Sequence, residues 1–145
     1  MKDKLPPIDK HLCFSLYSTQ LAMSKVYRNI LKSMGITYPQ YLVLQVLWKK
    51  QGVGINYIGK QLFLDSATLT PLLKRLESMD FIVRKRSLSD ERNMEVYLTI
   101  KGEKLHDEAL KIPPKVAEAA GCTLEEYKEL LKRLNDLRDH LLDYV

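Results

Sequence analysis

Cysteine is scarce in this 145-residue sequence: there are two, Cys13 and Cys122. That is too few for a disulfide scaffold. Long apolar runs are missing too. None approaches the roughly 18–20 residues that a bilayer-spanning helix needs. The opening stretch MKDKLPPIDK has no apolar core of the kind a secretory signal carries. The expected location is therefore the cytoplasm, without membrane attachment, where reducing conditions favour a transient redox bridge over a lasting one. His11, His106 and His140 are scattered, with no cysteine or carboxylate at metal-ligand spacing. A glycine-rich phosphate loop and a serine nucleophile elbow are both absent. No metal, cofactor or enzymatic centre is expected, and the chain shows neither an internal repeat nor a low-complexity segment.

The composition, 46% hydrophobic and 28% charged, fits one domain or a compact domain with helical extensions. Net charge is +5, unevenly spread. Residues 1–64 hold nine Lys/Arg against two Asp/Glu, residues 65–92 six against five, and residues 93–145 eight against eleven. A basic front and an acidic tail point to a polyanionic partner for part of the molecule.

Hydrophobic spacing predicts a long first helix from about Asp9 to Met34, with Leu12, Leu16, Met23, Val26, Ile30 and Leu31 recurring at helical intervals. Asp9 is the expected N-cap, and Gly35 ends the element. TYPQYLVLQVLWKK begins a second helix with Pro39 in its first turn. INYIGKQLF is a short third. LDSATLTPLLKRLESMD is a fourth, capped by Asp65 or Ser66, with Leu69, Leu72, Leu73, Leu76 and Met79 facing inward. The period then changes. FIVRKRS and MEVYLT read as two strands joined by the polar loop LSDERN. Thr99 caps a fifth helix from about Ile100, which Pro113 and Pro114 kink or break. In TLEE, Thr123 and Glu126 form a capping box for a last helix reaching about Tyr144, striped with leucines. So apolar a terminal helix must bury itself against something.

The fold class expected is mainly α with a small β-hairpin wing. A short helix, a turn, a capped helix and a basic hairpin follow the order of a winged helix-turn-helix. Such a capped helix offers its N-terminal side chains and N–H groups to DNA. Here these are Asp65, Ser66, Ala67, Thr68 and Thr70, with Asp65 read chiefly as the cap. Lys74 and Arg75 lie further along, placed for phosphate or guanine. The hairpin tip is expected to carry Arg84, Lys85, Arg86 and Arg92. An arginine there can enter the minor groove, and Asp90 is placed to orient the Arg92 guanidinium. Pro71 removes a helix hydrogen bond unless it falls in the first turn, so the helix is expected to bend there.

With "LDSATLTPLLKRLE" followed by "DERN" in a hairpin, the chain resembles the MarR family of winged-helix repressors. Together with "HLCFSLY" and "TYPQY", its full length is similar to the OhrR-type branch, which senses organic hydroperoxides. The resemblance implies a homodimer that binds a pseudo-palindromic double-stranded DNA operator. It implies a winged helix-turn-helix part over about 36–100, and a dimerisation part over about 9–34 and 100–145. It also implies a peroxide-sensing cysteine at Cys13, two tyrosines supporting it at Tyr27 and Tyr38, and a second, late cysteine at Cys122 that closes a disulfide between subunits.

Read as chemistry alone, Cys13 is either a small apolar residue filling a core or a reactive thiol. It lies within about one turn of the expected helix N-terminus, where the dipole favours a thiolate. Cys122, between a helix-ending Gly121 and a helix-starting Thr123, is either incidental or a resolving thiol. Tyr27 follows Cys13 by fourteen residues on one helix, or roughly 21 Å, so the two meet only across a dimer interface. Tyr27 and Tyr38 are otherwise ordinary aromatic packing. The alternatives to a redox-sensing repressor are a MarR-type repressor answering a small phenolic or lipid ligand, with Cys13 inert, and a helical thiol peroxidase.

Overall fold

The computed structural model describes residues 4–90 and 92–145; Glu91, in the expected hairpin loop, lies outside the described residues. A 3-10 turn at Ile8–Lys10 precedes helix α1 (Leu12–Ile30), and a second 3-10 turn covers Leu31–Met34. Then come α2 (Tyr38–Lys49), α3 (Ile55–Leu62), α4 (Ser66–Ser78), strands β1 (Ile82–Arg86) and β2 (Met94–Leu98), α5 (Ile100–Ala109), α6 (Ile112–Ala120) and α7 (Leu124–Tyr144). The protein is mainly helical with one hairpin, in winged helix-turn-helix order. It divides into two compact units, the first running through Ile112 and the second from Pro113 to Val145. No helix among the described residues is long and apolar enough to cross a membrane.

The first unit is organised around leucines at helical spacing. Val43, Leu44 and Leu47 of α2, Ile58 of α3, and Leu69, Leu73 and Leu76 of α4 are buried together with Ile82 and Val96 from the hairpin. Each such side chain contributes on the order of 1.5–3 kcal/mol by leaving water. Local signals agree with this burial. Thr37 and Gln40 make a reciprocal capping box on α2, and Pro39 stands in its first turn. Gly35 takes a left-handed φ of 68° to end the preceding turn. The hairpin is antiparallel, with Ile82 opposite Leu98 and Arg86 opposite Met94. Val53, just before α3, adds a bridge to Val96.

Gly102 is one of the residues that tie α5 to this core. The Thr99 hydroxyl accepts the Gly102 N–H, and the Trp48 indole N–H donates to the Gly102 carbonyl at 2.9 Å. A Cβ at Gly102 would press into the carbonyl oxygen of Phe81, which is backbone and cannot step aside. Gly102→Ala is expected to destabilise the fold by about 3 kcal/mol, read as a lower denaturant midpoint. A midpoint equal to wild type would refute the close packing described here.

Several expectations need correction. Asp9 is not the N-cap of α1, because a 3-10 turn starting after Pro7 occupies Ile8–Lys10 and leaves His11 extended at the cap position. The expected single helix to Met34 ends at Ile30 and tightens into a 3-10 turn. Leu72 is only half-buried; Leu73 takes the inward position with Leu69 and Leu76. α4 runs on through Pro71 as one helix. Pro71 stands exposed, so the missing N–H costs one backbone bond and buries nothing unsatisfied.

In the second unit the two prolines open a new helix rather than bending an old one. Pro113 and Pro114 sit in the first turn of α6, where an N–H has no partner to lose. Gly121 ends α6 at φ 66°. The capping box then starts α7, with the Glu126 N–H on the Thr123 hydroxyl at 3.2 Å and the Thr123 N–H on the Glu126 carboxylate at 3.1 Å. No residue of α7 is buried, and Leu130, Leu131, Leu134, Leu141 and Leu142 are all exposed.

Candidate DNA interface and thiol site

α4 presents its N-terminus as the sequence implies. Asp65 is the N-cap, accepting the Thr68 N–H on Oδ1 at 2.8 Å. That backbone hydrogen bond holds its carboxyl below the usual range, so the cap is a carboxylate set against the positive end of the helix. Asp65, Ser66, Ala67 and Thr68 are exposed, as are Lys74 and Arg75 further along. Thr70 is turned differently. Its hydroxyl donates to the Ser66 carbonyl at 2.7 Å and the residue is half-buried, a back-bond typical of threonine within a helix.

The hairpin separates its cations into two groups. Arg86 ends β1 and Arg92 stands in the loop, both exposed. Arg84 is not at the tip. It lies mid-strand, opposite Val96, and grips Glu77 of α4 with Nη2 and Nε at 3.2 and 3.3 Å. The Arg84 hydrogen bond in turn holds the Glu77 carboxyl below its ordinary range. This planar two-point contact ties the base of the wing to α4. Lys85 rests 5.3 Å from the Tyr97 ring centroid, and the Tyr97 hydroxyl donates to Glu95 at 2.6 Å, which pushes its pKa up.

Asp90 does something other than expected. Its Oδ1 accepts the backbone N–H of Arg92 at 3.0 Å and its Oδ2 the amide of Asn93 at 3.3 Å. A spacing of two residues suits an aspartate turn, so the carboxylate shapes the loop instead of holding the guanidinium. The Ser87 N–H closes the loop on the Asn93 carbonyl at 2.7 Å.

The thiol positions lie elsewhere. Cys13 is the second residue of α1 and exposed; Cys122 is half-buried in the loop before α7; both are free thiols. Cys13 therefore fills no core within its own chain. Tyr27 and Tyr38 are brought together, with ring centroids 4.3 Å apart, and Tyr41 joins them at 6.0 and 6.3 Å. Burial raises the Tyr41 pKa. Trp48 continues the row to His106. α1 is unbroken between Cys13 and Tyr27, which leaves roughly 21 Å of helix between them. No group of three His, Cys, Asp or Glu among the described residues converges as a metal site. Sequence reasoning missed Glu77, Glu95, Tyr41 and the Thr37 box. The i,i+3 Thr–Gln pattern before an apolar run could have revealed the last.

A model of the family described as transcriptional regulator SarA/Rot matches residues 25–109. The regulator TtmR of Methylorubrum extorquens is 44% identical over 140 residues, 97% of this chain and 72% of its own. The organic hydroperoxide resistance transcriptional regulator of Bacillus subtilis is 40% identical over 134 residues, covering 92% of this chain and 91% of its own. Among solved structures, AbfR of Staphylococcus epidermidis superposes with a TM-score of 0.75 at 36% identity, covering 91% of each chain. AbfR has also been solved reduced on DNA and with a disulfide formed. On this sequence kinship and on the capped helix and hairpin wing described above, the chain belongs to the SarA/MarR-type family of winged-helix, DNA-binding transcriptional regulators.

Proposed function

We propose that the protein is a homodimeric repressor that releases a pseudo-palindromic operator when an organic hydroperoxide oxidises Cys13. The observation that carries this reading is the exposed Cys13 in the first turn of a helix, in a chain closely related to a hydroperoxide resistance regulator. The Cys13 sulfur attacks one peroxide oxygen. The O–O bond breaks, an alcohol leaves with the proton, and Cys13 becomes a sulfenic acid. The Cys122 thiol then attacks that sulfur, an S–S bond forms, and water departs. Tyr27 and Tyr38 belong to this site from the partner subunit, since an unbroken α1 keeps them from their own Cys13.

Dimerisation is supported by apolar surface that one chain leaves uncovered: Leu12, Phe14, Tyr17 and Leu21 of α1, and the leucine face of α7. The dimerisation part comprises about 9–34 and 100–145, and 36–100 reads DNA. The reading takes the reduced thiols to stand further apart than the roughly 7 Å between Cα atoms that a disulfide needs, so that closing it shifts the DNA-reading halves and spoils half-site spacing. AbfR offers a parallel. AbfR, 37% identical to this chain, has been solved both reduced on DNA and with a disulfide formed.

Cys122→Ser is expected to be oxidised at Cys13 yet to form no covalent dimer on non-reducing gels, whereas oxidised wild type gives one that dithiothreitol reverses. A covalent dimer persisting in Cys122→Ser would remove Cys122 from the scheme. One observation favours a second reading, a repressor answering a small phenolic or lipid ligand. An apolar pocket of about 320 Å³, lined by Pro39, Leu42, Leu62, Leu72 and Pro71 with Arg75 as its cation, adjoins α4. DNA release by such a ligand from Cys13→Ser would establish it.

A further inference from the structure

We propose that the ring row from Trp48 to Tyr27 and Tyr38 is a radical relay, which takes a one-electron oxidation from a peroxyl radical at the surface and delivers it to the tyrosine pair. Tyr38, Tyr41 and Trp48 stand on α2 at spacings of three and seven residues, which the helical period puts on one face. Tyr27 joins them from α1 and His106 from α5. Ring centroids are 4.3 Å apart for Tyr27 and Tyr38, 6.3 Å for Tyr38 and Tyr41, 6.2 Å for Tyr41 and Trp48, and 5.4 Å for Trp48 and His106. Tyr41 also reaches Tyr27 directly, at 6.0 Å. Rings this close are in contact, so an electron passes from one to the next without crossing another element. Packing alone would be served by phenylalanine. The row instead uses tyrosine and tryptophan, the aromatic side chains that give up an electron most readily.

The environment of each ring sets the direction. Trp48 is half-buried beside the exposed His106, so the oxidant meets the row at this end. A peroxyl radical gains an electron from Trp48 and a proton from water, and leaves as an organic hydroperoxide. The indole N–H donates to the Gly102 carbonyl, which is no base. The oxidised indole therefore keeps its proton and stays a radical cation able to draw an electron from Tyr41. Tyr41 is 3% exposed, and burial raises its pKa. It sheds its own proton poorly and passes the hole on. Tyr27 and Tyr38 are half-buried; one of them ends as a neutral phenoxyl radical, its proton going to water. One peroxyl radical and one phenol are consumed, one hydroperoxide and one phenoxyl radical are formed, and no other bond is made or broken. On the reading proposed above, the pair supports the sensing thiol and the released hydroperoxide is that thiol's substrate. That link rests on the reading; the relay itself does not.

The test is pulse radiolysis of the full-length protein in azide. The azide radical takes an electron from indole faster than from phenol, and the chain has one tryptophan. In wild type the indolyl absorption is expected to decay as the phenoxyl absorption rises, at a rate independent of protein concentration. Tyr41→Phe keeps the packing of the ring and removes the phenol. It is expected to slow the transfer by at least about tenfold, with an unchanged unfolding temperature. Tyr27→Phe combined with Tyr38→Phe is expected to slow it likewise, because Tyr41 alone sheds its proton poorly. Tyr17→Phe, at an exposed tyrosine outside the row, is expected to transfer as wild type does. The proposal is overturned if the wild-type rate rises with protein concentration, if either row variant transfers at the wild-type rate, or if Tyr17→Phe slows it as much. None of these signals involves DNA or oxidation of Cys13, so DNA binding that ignores hydroperoxide would sink the sensing reading and leave the relay standing.

Discussion

Cys13→Ser is expected to bind operator DNA as wild type does and to keep it when an organic hydroperoxide is added. Cys13 is exposed on its own chain, so an oxygen in place of sulfur removes no core packing. Serine differs from cysteine by one atom of similar size, so the fold and the dimer are expected to be kept, read as an unchanged unfolding temperature and an unchanged dimer mass. What disappears is the nucleophile, because a serine hydroxyl is not ionised near neutrality and does not open a peroxide. Wild type treated in parallel is expected to lose at least about tenfold in affinity, or about 1.4 kcal/mol. A shift of that size needs two arrangements that DNA distinguishes, and a covalent bond at Cys13 is an adequate bias between them. If Cys13→Ser still releases DNA on peroxide, the thiol is a bystander and the second, ligand-answering reading takes its place.

Arg92→Ala is expected to weaken DNA binding by about 1–3 kcal/mol for each subunit that loses the contact. Arg92 is exposed in the loop of the wing, and the loop is already shaped by Asp90, which bonds the Arg92 N–H and the Asn93 amide. Removing the guanidinium therefore leaves the loop closed by the same bonds, and the loss reports on DNA rather than on folding. A charged side chain entering a narrow minor groove is sensitive to groove width, so the loss should be larger on A·T-rich flanks than on G·C-rich ones. Unchanged affinity at fixed salt would remove the wing from the interface.

Much of this arrangement was legible in the residues because its signals are local. Asp65 three residues before Thr68, Thr123 before Glu126 and Thr99 before Gly102 each cap a helix through bonds that span one turn, and all three form. The change of period after Met79 marked the hairpin, whose register follows. Two of the failures are failures of distance and two are local. Arg84 reads as one of a run of hairpin cations, but its partner Glu77 lies on another element, and only packing β1 against α4 brings them together. Asp90 read as a partner for a side chain when its own spacing favoured the backbone. Tyr41 joins Tyr27 and Tyr38 across two helices, which no single stretch discloses. Asp9 had the right chemistry for a cap, and Pro7 set up a tighter turn that used the position first.

The central claim is that oxidation of Cys13 lowers affinity for DNA. The most direct measurement is a fluorescence-anisotropy titration of wild type on a labelled operator duplex, before and after one equivalent of organic hydroperoxide. Mass spectrometry of the same samples assigns the modified residue. The account predicts weaker binding in step with the fraction of chains carrying an oxygen or a disulfide at Cys13, with recovery on adding dithiothreitol. Full affinity with Cys13 oxidised, or lost affinity with Cys13 unmodified, would contradict it.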